Sequence, residues 1–162
     1  MTCQLLMGYP CAVVARMANS RSGTNAMDTV VALLRAAERV RRRAARVVEP
    51  HGITLQQYNV LCILDAAKED GVPTLEVAAR MIEETPGVTR LLDRLEAKSY
   101  IRRQRCPRDR RQHLCWLSRE GARLLERLTP ATSTGNKRVL GHLSIDERQQ
   151  LIALLDVIGS EE

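Results

Sequence analysis

The chain has 162 residues, a length that fits one domain with a few additional elements. Aromatic residues make up 2% of the sequence and Phe is absent, so Leu, Val, Ile and Ala must form the core, as is typical of packed helices. The formal net charge of +6 favours a polyanionic partner, and no apolar run approaches the roughly 20 residues of a membrane-spanning helix, so no membrane partner is expected.

The N-terminal segment and the cysteines bear on location. Residues 1–26 are interpreted as a disordered extension or as sequence upstream of the true start, and a signal peptide is the less favoured alternative. The five cysteines contain no C-x-x-C pair, and an odd number does not suit a disulfide framework. A reducing, cytoplasmic location is therefore expected.

The first predicted element is an amphipathic helix from Met27 to Glu49, because its apolar residues recur at three- and four-residue steps. Asp28 near its start and an arginine cluster near its end suit the helix dipole. Its apolar surface is wider than one stripe, so residues 27–50 are predicted to be a dimerisation helix covered by a partner subunit. Packing within one chain is the alternative.

Three helices are predicted next. The Thr54-x-x-Gln57 capping box opens the first of them, and a turn over 70–73 follows it. Thr74 is expected to cap the next helix, which runs to about residue 81. Four apolar residues are expected to point inward from this helix: Leu75, Ala78, Ala79 and Ile82.

The following helix carries the candidate DNA contacts. Thr85 is predicted as its N-cap and Pro86 as its first residue, and it runs to about Lys98. Small or flexible polar residues at its N-terminal end suit base or phosphate contact. Arg90 is expected to read guanine and Arg94 to meet phosphate. The predicted DNA-binding residues of this helix are Thr85, Pro86, Gly87, Thr89, Arg90 and Arg94. The alternative is a solvated face in which Asp93 and Glu96 pair with neighbouring arginines.

A basic β-hairpin is predicted after this helix. Its strands are Ile101–Cys106 and Gln112–Leu117, and residues 107–111 form the loop. Six arginines are opposed by one acid, which indicates an external anion. These arginines are Arg102, Arg103, Arg105, Arg108, Arg110 and Arg111. We expect Arg108, Arg110 and Arg111 to bind DNA and Asp109 to orient them. Cys106 is expected opposite Gln112 rather than Cys115, which disfavours a disulfide within the hairpin.

Two helices are predicted at the C-terminal end. Ser118 is expected to cap the first, which runs to about Leu128. Thr129-Pro130 interrupts its pattern, and residues up to about Leu140 are expected to continue it with a kink. A Ser144-x-x-Glu147 capping box opens the second. Residues 129–162 are predicted to be C-terminal dimerisation helices, because the last helix is apolar over more than one stripe.

These elements resemble the MarR family of winged helix-turn-helix transcriptional regulators. The similarity is carried by the helix start at Leu75–Ala79, by Thr85–Glu96 (TPGVTRLLDRLE), by the Asp109–Arg111 wing and by Leu117–Gly121 (LSREG). It places a winged helix-turn-helix domain at residues 53–128 in a mainly α fold with a small β-hairpin wing. One departure is Ser99, which stands in a turn where the family usually has Gly and would be strained in a left-handed conformation.

The resemblance implies a bacterial-type regulator, and a repressor is the favoured reading. It would act as a homodimer on double-stranded DNA at a pseudo-palindromic operator, with a helix in the major groove and wing arginine in the minor groove. It also implies release by a small anionic or phenolic effector, for which Arg39, His51 and Tyr58 are candidate lining residues. No cofactor or metal is expected, because the histidines lack ligand spacing.

Other functions remain open at this level. Cysteine-based redox sensing within the same fold is one alternative, since Cys11 lies close to Tyr9 in the N-terminal arm. A basic adaptor for an acidic protein is another. An enzyme is not expected, because no catalytic motif is present.

Overall fold

The computed structural model describes residues 25–68, 71–82, 87–106 and 112–159. The elements in these ranges are α1 (Ala26–Val48), a 3-10 turn (Glu49–His51), α2 (Leu55–Ala66), β1 (Val72–Pro73), α3 (Thr74–Arg80), α4 (Val88–Ala97), β2 (Ile101–Arg105), β3 (His113–Leu117), α5 (Arg119–Leu140) and α6 (Ile145–Gly159). The predicted fold class, mainly α with a small β-hairpin, is confirmed. No helix in these ranges combines the length and the apolar character needed to cross a membrane.

The chain divides into two compact units at the boundary between Arg39 and Val40. The described part of the first unit is the N-terminal portion of α1. Asn25 caps this helix, because its side-chain oxygen accepts a hydrogen bond from the backbone N–H of Asp28 at 2.9 Å. The extension predicted for residues 1–26 lies outside the described residues except for its last two, and Ala26 already belongs to α1.

The second unit contains a three-stranded antiparallel sheet in the order β1-β3-β2. The turn predicted over 70–73 is wrong in its second half, because Val72 and Pro73 pair with Cys115 and Leu114 of β3. A two-residue strand is too short to show an alternating pattern in the sequence. Proline is tolerated there because β1 is an edge strand.

The hairpin of β2 and β3 has the predicted register. The backbone N–H of Cys106 donates to the carbonyl of Gln112 at 2.9 Å, and Cys115 lies opposite Arg103. The expectation that Cys106 does not face Cys115 is therefore confirmed.

The core is aliphatic, as the composition predicts. It is built where α2, α4 and α5 meet the sheet, and its fully buried side chains are Val48, Val60, Leu61, Leu64, Val77, Leu92, Leu95, Cys115, Leu124 and Leu128. Burial of such side chains supplies the main driving force for this fold.

The inward face predicted for α3 is wrong. Leu75 is 79% exposed and Ile82 is 86% exposed, whereas Val77 is fully buried. Thr74 is the first helical residue rather than the cap, and its hydroxyl donates to the carbonyl of His113 at 3.3 Å. Pairing of β1 with β3 fixes where α3 starts, and seven residues are too few for periodicity to reveal its orientation.

Helix α4 also begins later than predicted. Its first residue is Val88, and the preceding Gly87 adopts a left-handed conformation with φ 94° and no side-chain cap. Thr85 and Pro86, predicted as cap and first residue, lie outside the described residues. Because left-handed backbone favours glycine, Gly87 sets the direction from which the chain enters α4.

The C-terminal end of α4 is closed by a Schellman motif. The N–H of Tyr100 donates to the carbonyl of Leu95 at 3.0 Å, and that of Ser99 donates to Glu96 at 2.8 Å. Ser99 has a φ of 61°, so it adopts the left-handed conformation that is strained for serine.

Replacing Ser99 with glycine is expected to stabilise the protein by about 0.5–1 kcal/mol. Relief of left-handed strain outweighs the greater freedom of glycine in the unfolded chain. Urea unfolding followed by circular dichroism measures the change. A lower midpoint for Ser99→Gly would show that the serine side chain stabilises this turn.

Helix α5 is continuous through Pro130, and its predicted continuation to Leu140 is confirmed. The hydroxyl of Thr129 donates to the carbonyl of Leu125 at 2.8 Å, and that of Thr132 donates to Leu128 at 3.1 Å. Ser118 caps the helix as predicted, since its hydroxyl accepts from the N–H of Gly121 at 3.0 Å.

Helix α6 opens with the predicted capping box. The N–H of Ser144 donates to the carboxylate of Glu147 at 2.7 Å, and the N–H of Glu147 donates to the Ser144 hydroxyl at 3.2 Å. Every side chain from residue 145 to residue 158 is exposed in the isolated chain.

Candidate nucleic-acid interface

The outer face of α4 is the centre of the candidate interface. Leu91, Leu92 and Leu95 are buried, while the predicted contact residues of this helix that the structure describes are all exposed. These are Gly87, Thr89, Arg90 and Arg94. At about 100° per residue, the outer face divides into two stripes, one with Arg90 and Arg94 and the other with Thr89, Asp93 and Glu96.

The acidic stripe is paired with the sheet. The Nη2 atom of Arg103 lies 2.5 Å from Asp93 and 2.6 Å from Glu96, and its Nε atom lies 2.8 Å from the same Glu96 oxygen. The Arg103 side chain is only 18% exposed. Burial lowers the pKa of Arg103, but the hydrogen bonds to Glu96 and Asp93 outweigh it and leave the pKa above its ordinary value.

This pairing corrects the interpretation of the hairpin. The sequence places Arg103 among the arginines that indicate an external anion, but in the structure Arg103 binds two carboxylates of its own chain. The alternative interpretation predicted that Asp93 and Glu96 pair with a neighbouring arginine. That pairing is confirmed for both acids. The sequence shows the charges, but only the fold brings β2 against α4.

The other described hairpin arginines differ from Arg103. The guanidinium of Arg102 lies over the Trp116 ring, 4.7 Å from its centroid, and Arg102 remains exposed. Arg105 is exposed and lies opposite His113. The predicted wing residues Arg108, Asp109, Arg110 and Arg111 lie outside the described residues.

Trp116 also contributes to the candidate interface, a role that the sequence alone did not indicate. A Cβ atom at Gly71 would lie 2.4 Å from its indole ring, so Gly71 allows the ring to lie against the start of β1. The cross-strand pair of Arg102 and Trp116 thereby holds an exposed cation on one face of the hairpin.

A groove of about 760 Å³ lies between α3, α4 and the sheet. Its lining residues are Pro73, Thr74, Leu75, Glu76, Thr89, Glu96, Arg103, Gln112 and His113. The acids in this lining are paired within the chain, since Glu76 binds Arg80 and Glu96 binds Arg103. The groove lies beside the candidate DNA-contacting face, and both carboxylates in its described lining are paired with arginines.

The candidate effector residues lie elsewhere. Arg39 is exposed on α1, and His51 is exposed at the end of the 3-10 turn. Tyr58 is half-buried, its hydroxyl donates to Thr132 of α5 at 3.4 Å, and burial raises the pKa of this phenol. A second groove of about 400 Å³ is lined by Arg41, Arg42, Ala45, Glu49, Thr54, Leu55 and Gln56. None of the three candidates lines either groove.

Two described cysteines have environments that disfavour the thiolate. Cys115 is fully buried and Cys62 is half-buried, and burial raises the pKa of both thiols. A raised pKa reduces reactivity towards oxidants near neutral pH. Cys11, on which the redox alternative rested, lies outside the described residues.

Comparison with known proteins agrees with this architecture. The sequence model of the MarR family matches residues 53–113. The solved structure of a MarR transcription factor from Planctomyces limnophilus is 31% identical, and the match covers 85% of this chain and 99% of that one, with a TM-score of 0.65. The chain belongs to the MarR family.

Two further similar proteins extend the comparison. The HTH-type transcriptional regulator PrsX of Escherichia coli is 29% identical over 134 residues, covering 78% of this chain and 81% of PrsX. BpsR of Bordetella bronchiseptica, solved in a study of how 6-hydroxynicotinic acid regulates its DNA binding, is 25% identical. That match covers 82% of this chain and 99% of BpsR, with a TM-score of 0.71. This MarR-family protein is thus a DNA-binding transcription regulator and not an enzyme.

Proposed function

We propose that this protein is a transcriptional repressor that binds a pseudo-palindromic operator as a homodimer. The observation that carries the proposal is the exposed face of α4, where Arg90 and Arg94 form one stripe beside a hairpin with exposed arginines. In this arrangement α4 lies in the major groove and the wing lies along the adjacent backbone and minor groove.

The residues divide between sequence reading and backbone contact. Arg90 lies in the first turn of α4 and can reach guanine O6 and N7, whereas Arg94, one turn later, meets phosphate. Thr89 and the open backbone at Gly87 allow close approach of the DNA. Thr85 and Pro86 before α4 complete this contact, and Arg108, Arg110 and Arg111 of the wing bind the backbone or minor groove with Asp109 as their orienting carboxylate.

Dimerisation is supported by apolar side chains that the isolated chain leaves exposed. On α1 these are Met27, Val30, Leu34 and Val40, and on α6 they are Ile145, Leu151, Ile152, Leu154, Leu155, Val157 and Ile158. Exposed apolar surface of this extent is unusual for a monomer. Residues 27–50 and 129–162 are the proposed interface.

A small anionic or phenolic effector is proposed to release the DNA. Support comes from BpsR, whose DNA binding is regulated by 6-hydroxynicotinic acid. Arg39, His51 and Tyr58 remain candidates for its binding. A compound of this class should raise the melting temperature of the protein and weaken its DNA binding, and a screen of aromatic carboxylates by thermal shift tests this step.

Location and alternative functions follow from the same proposal. A regulator of bacterial-type genes acts in the cytoplasm. Redox sensing at Cys62 or Cys115 is less favoured, because burial raises the pKa of both thiols. A basic adaptor would prefer an acidic protein to duplex DNA in a salt-titrated competition, and indifference to DNA at low salt would support that alternative.

Substitution of the two α4 arginines tests the proposed surface. Arg90→Ala should cost about 1–3 kcal/mol on the preferred duplex and relax specificity at one base pair. Arg94→Ala should weaken binding to all duplexes and reduce the slope of log K against log salt by about 1. Fluorescence anisotropy at several salt concentrations measures both effects.

The matched control is Arg127→Ala, which removes the same charge from an exposed position of α5 outside the proposed dimer interface. It should leave the salt slope unchanged. Equal effects of Arg94→Ala and Arg127→Ala would show that α4 contributes only general positive charge.

A further inference from the structure

Resting on the proposed function, we infer that Arg103 is a positioning residue for DNA recognition: its charge partly offsets those of Asp93 and Glu96, so that the surface formed by α4 and Arg103 is net positive towards phosphate. Arg103 contacts no DNA in this role. It acts through the two carboxylates that it binds.

The geometry of β2 directs Arg103 towards α4. Ile101, Arg103 and Arg105 alternate on one face of β2, and the buried Ile101 marks this as the inner face at that end of the strand. Arg103 extends from this face to α4 and binds Asp93 and Glu96 at 2.5–2.8 Å. Arg102 lies on the opposite face over Trp116. Neighbouring arginines of one strand therefore have different partners.

The charge balance of the α4 face depends on Arg103. On α4, Arg90 and Arg94 are balanced by Asp93 and Glu96, so the helix face alone has no net charge. Each acid lies within one turn of an arginine that the proposed function assigns to DNA. Bringing unpaired carboxylates towards phosphate is unfavourable, and Arg103 turns the local balance positive.

The contacts of the Arg103 guanidinium limit its access to a DNA phosphate. Nε and Nη2 of Arg103 are engaged with carboxylate oxygens, and its side chain is 18% exposed. An arginine held by two carboxylates would have to leave both of them to bind a phosphate. Arg94 is exposed and, among the described residues, has no such carboxylate partner to leave. Arg103 therefore serves DNA binding better as a neutralising partner than as a contact.

The test measures the affinity for one preferred duplex in variants that lack Arg103, the two carboxylates, or all three charges. Arg103→Met should weaken binding by about fivefold or more, whereas the triple variant Asp93→Asn, Glu96→Gln, Arg103→Met should recover at least the wild-type affinity, because the repelling charges are gone. Asp93→Asn with Glu96→Gln, keeping Arg103, should tighten binding and steepen the salt dependence.

Each other outcome has a distinct meaning. Unchanged affinity of Arg103→Met would overturn the inference. Failure of the triple variant to recover, with a salt slope lower by about 1, would show that Arg103 contacts phosphate directly and would also overturn it. If Arg103→Met does not fold, weaker binding by the Asp93→Asn, Glu96→Gln variant would be the contradicting result. Failure of the wild type to bind any duplex would instead reject the proposed function.

Discussion

Gly121→Ala is expected to destabilise the protein by about 3 kcal/mol, near the upper end for overpacking. A Cβ atom at this position would lie 2.2 Å from the carbonyl oxygen of Tyr100 and 2.7 Å from Cδ1 of Leu117. The nearest obstacle is backbone, so a rotamer change cannot relieve the contact.

The surrounding hydrogen bonds explain why the backbone does not simply move. The N–H of Ser118 donates to the same Tyr100 carbonyl at 3.0 Å, and the Ser118 hydroxyl donates to the carbonyl of Ser99 at 2.6 Å. The start of α5 is thus tied to the turn that ends α4. Shifting Gly121 would break these bonds and displace α4 from the wing.

Gly135→Ala is the matched control, because it makes the same change in the same helix. Among the described residues of the isolated chain, no atom outside the adjacent helix backbone lies within 4 Å of the Cβ that it adds, so a gain of about 0.5–1 kcal/mol is expected from helix propensity. Urea unfolding followed by the fluorescence of Trp116 measures both variants. Similar stabilities for the two would contradict the close packing of Gly121.

Introducing two charges on α6 is expected to separate the dimer. Leu154 and Ile158 lie one turn apart and are 65% and 57% exposed in the isolated chain. If a partner subunit covers them, Leu154→Glu with Ile158→Glu buries two carboxylates without partners, which is strongly unfavourable. Loss of the second half-site contact should then weaken operator binding by about 100-fold or more.

Gln149→Glu with Ala153→Glu adds the same charge, also one turn apart, to the side of α6 that carries Asp146 and Asp156, and should leave the dimer intact. Sedimentation equilibrium measures the oligomeric state, and anisotropy measures operator affinity. A wild-type monomer, or a Leu154→Glu, Ile158→Glu variant that remains dimeric with full affinity, would reject α6 as the interface.

Local rules were sufficient where a feature depends on neighbours in the sequence. The capping boxes at Thr54–Gln57 and Ser144–Glu147 form as predicted, because each needs only residues three apart. The left-handed Ser99 is a different case, because the sequence indicates it only through the resemblance to a family that usually has Gly in this turn. The exposed face of α4 followed from its strong apolar periodicity.

Local rules failed where a distant partner decides the structure. β1 exists because β3 supplies its hydrogen bonds, and the rotation of α3 that buries Val77 and exposes Leu75 follows from that pairing. The role of Arg103 likewise depends on which helix β2 packs against. Its residue type predicted a charge contact, but only the fold shows that the partners are Asp93 and Glu96.

Selection of bound sequences from a random duplex pool tests the central claim most directly. A homodimer that places one α4 in each major groove should enrich a two-fold symmetric motif whose half-sites lie about 10 base pairs apart, one helical turn. Enrichment of an asymmetric motif would contradict the proposed dimer, and no enrichment at low salt would contradict sequence-specific recognition by α4.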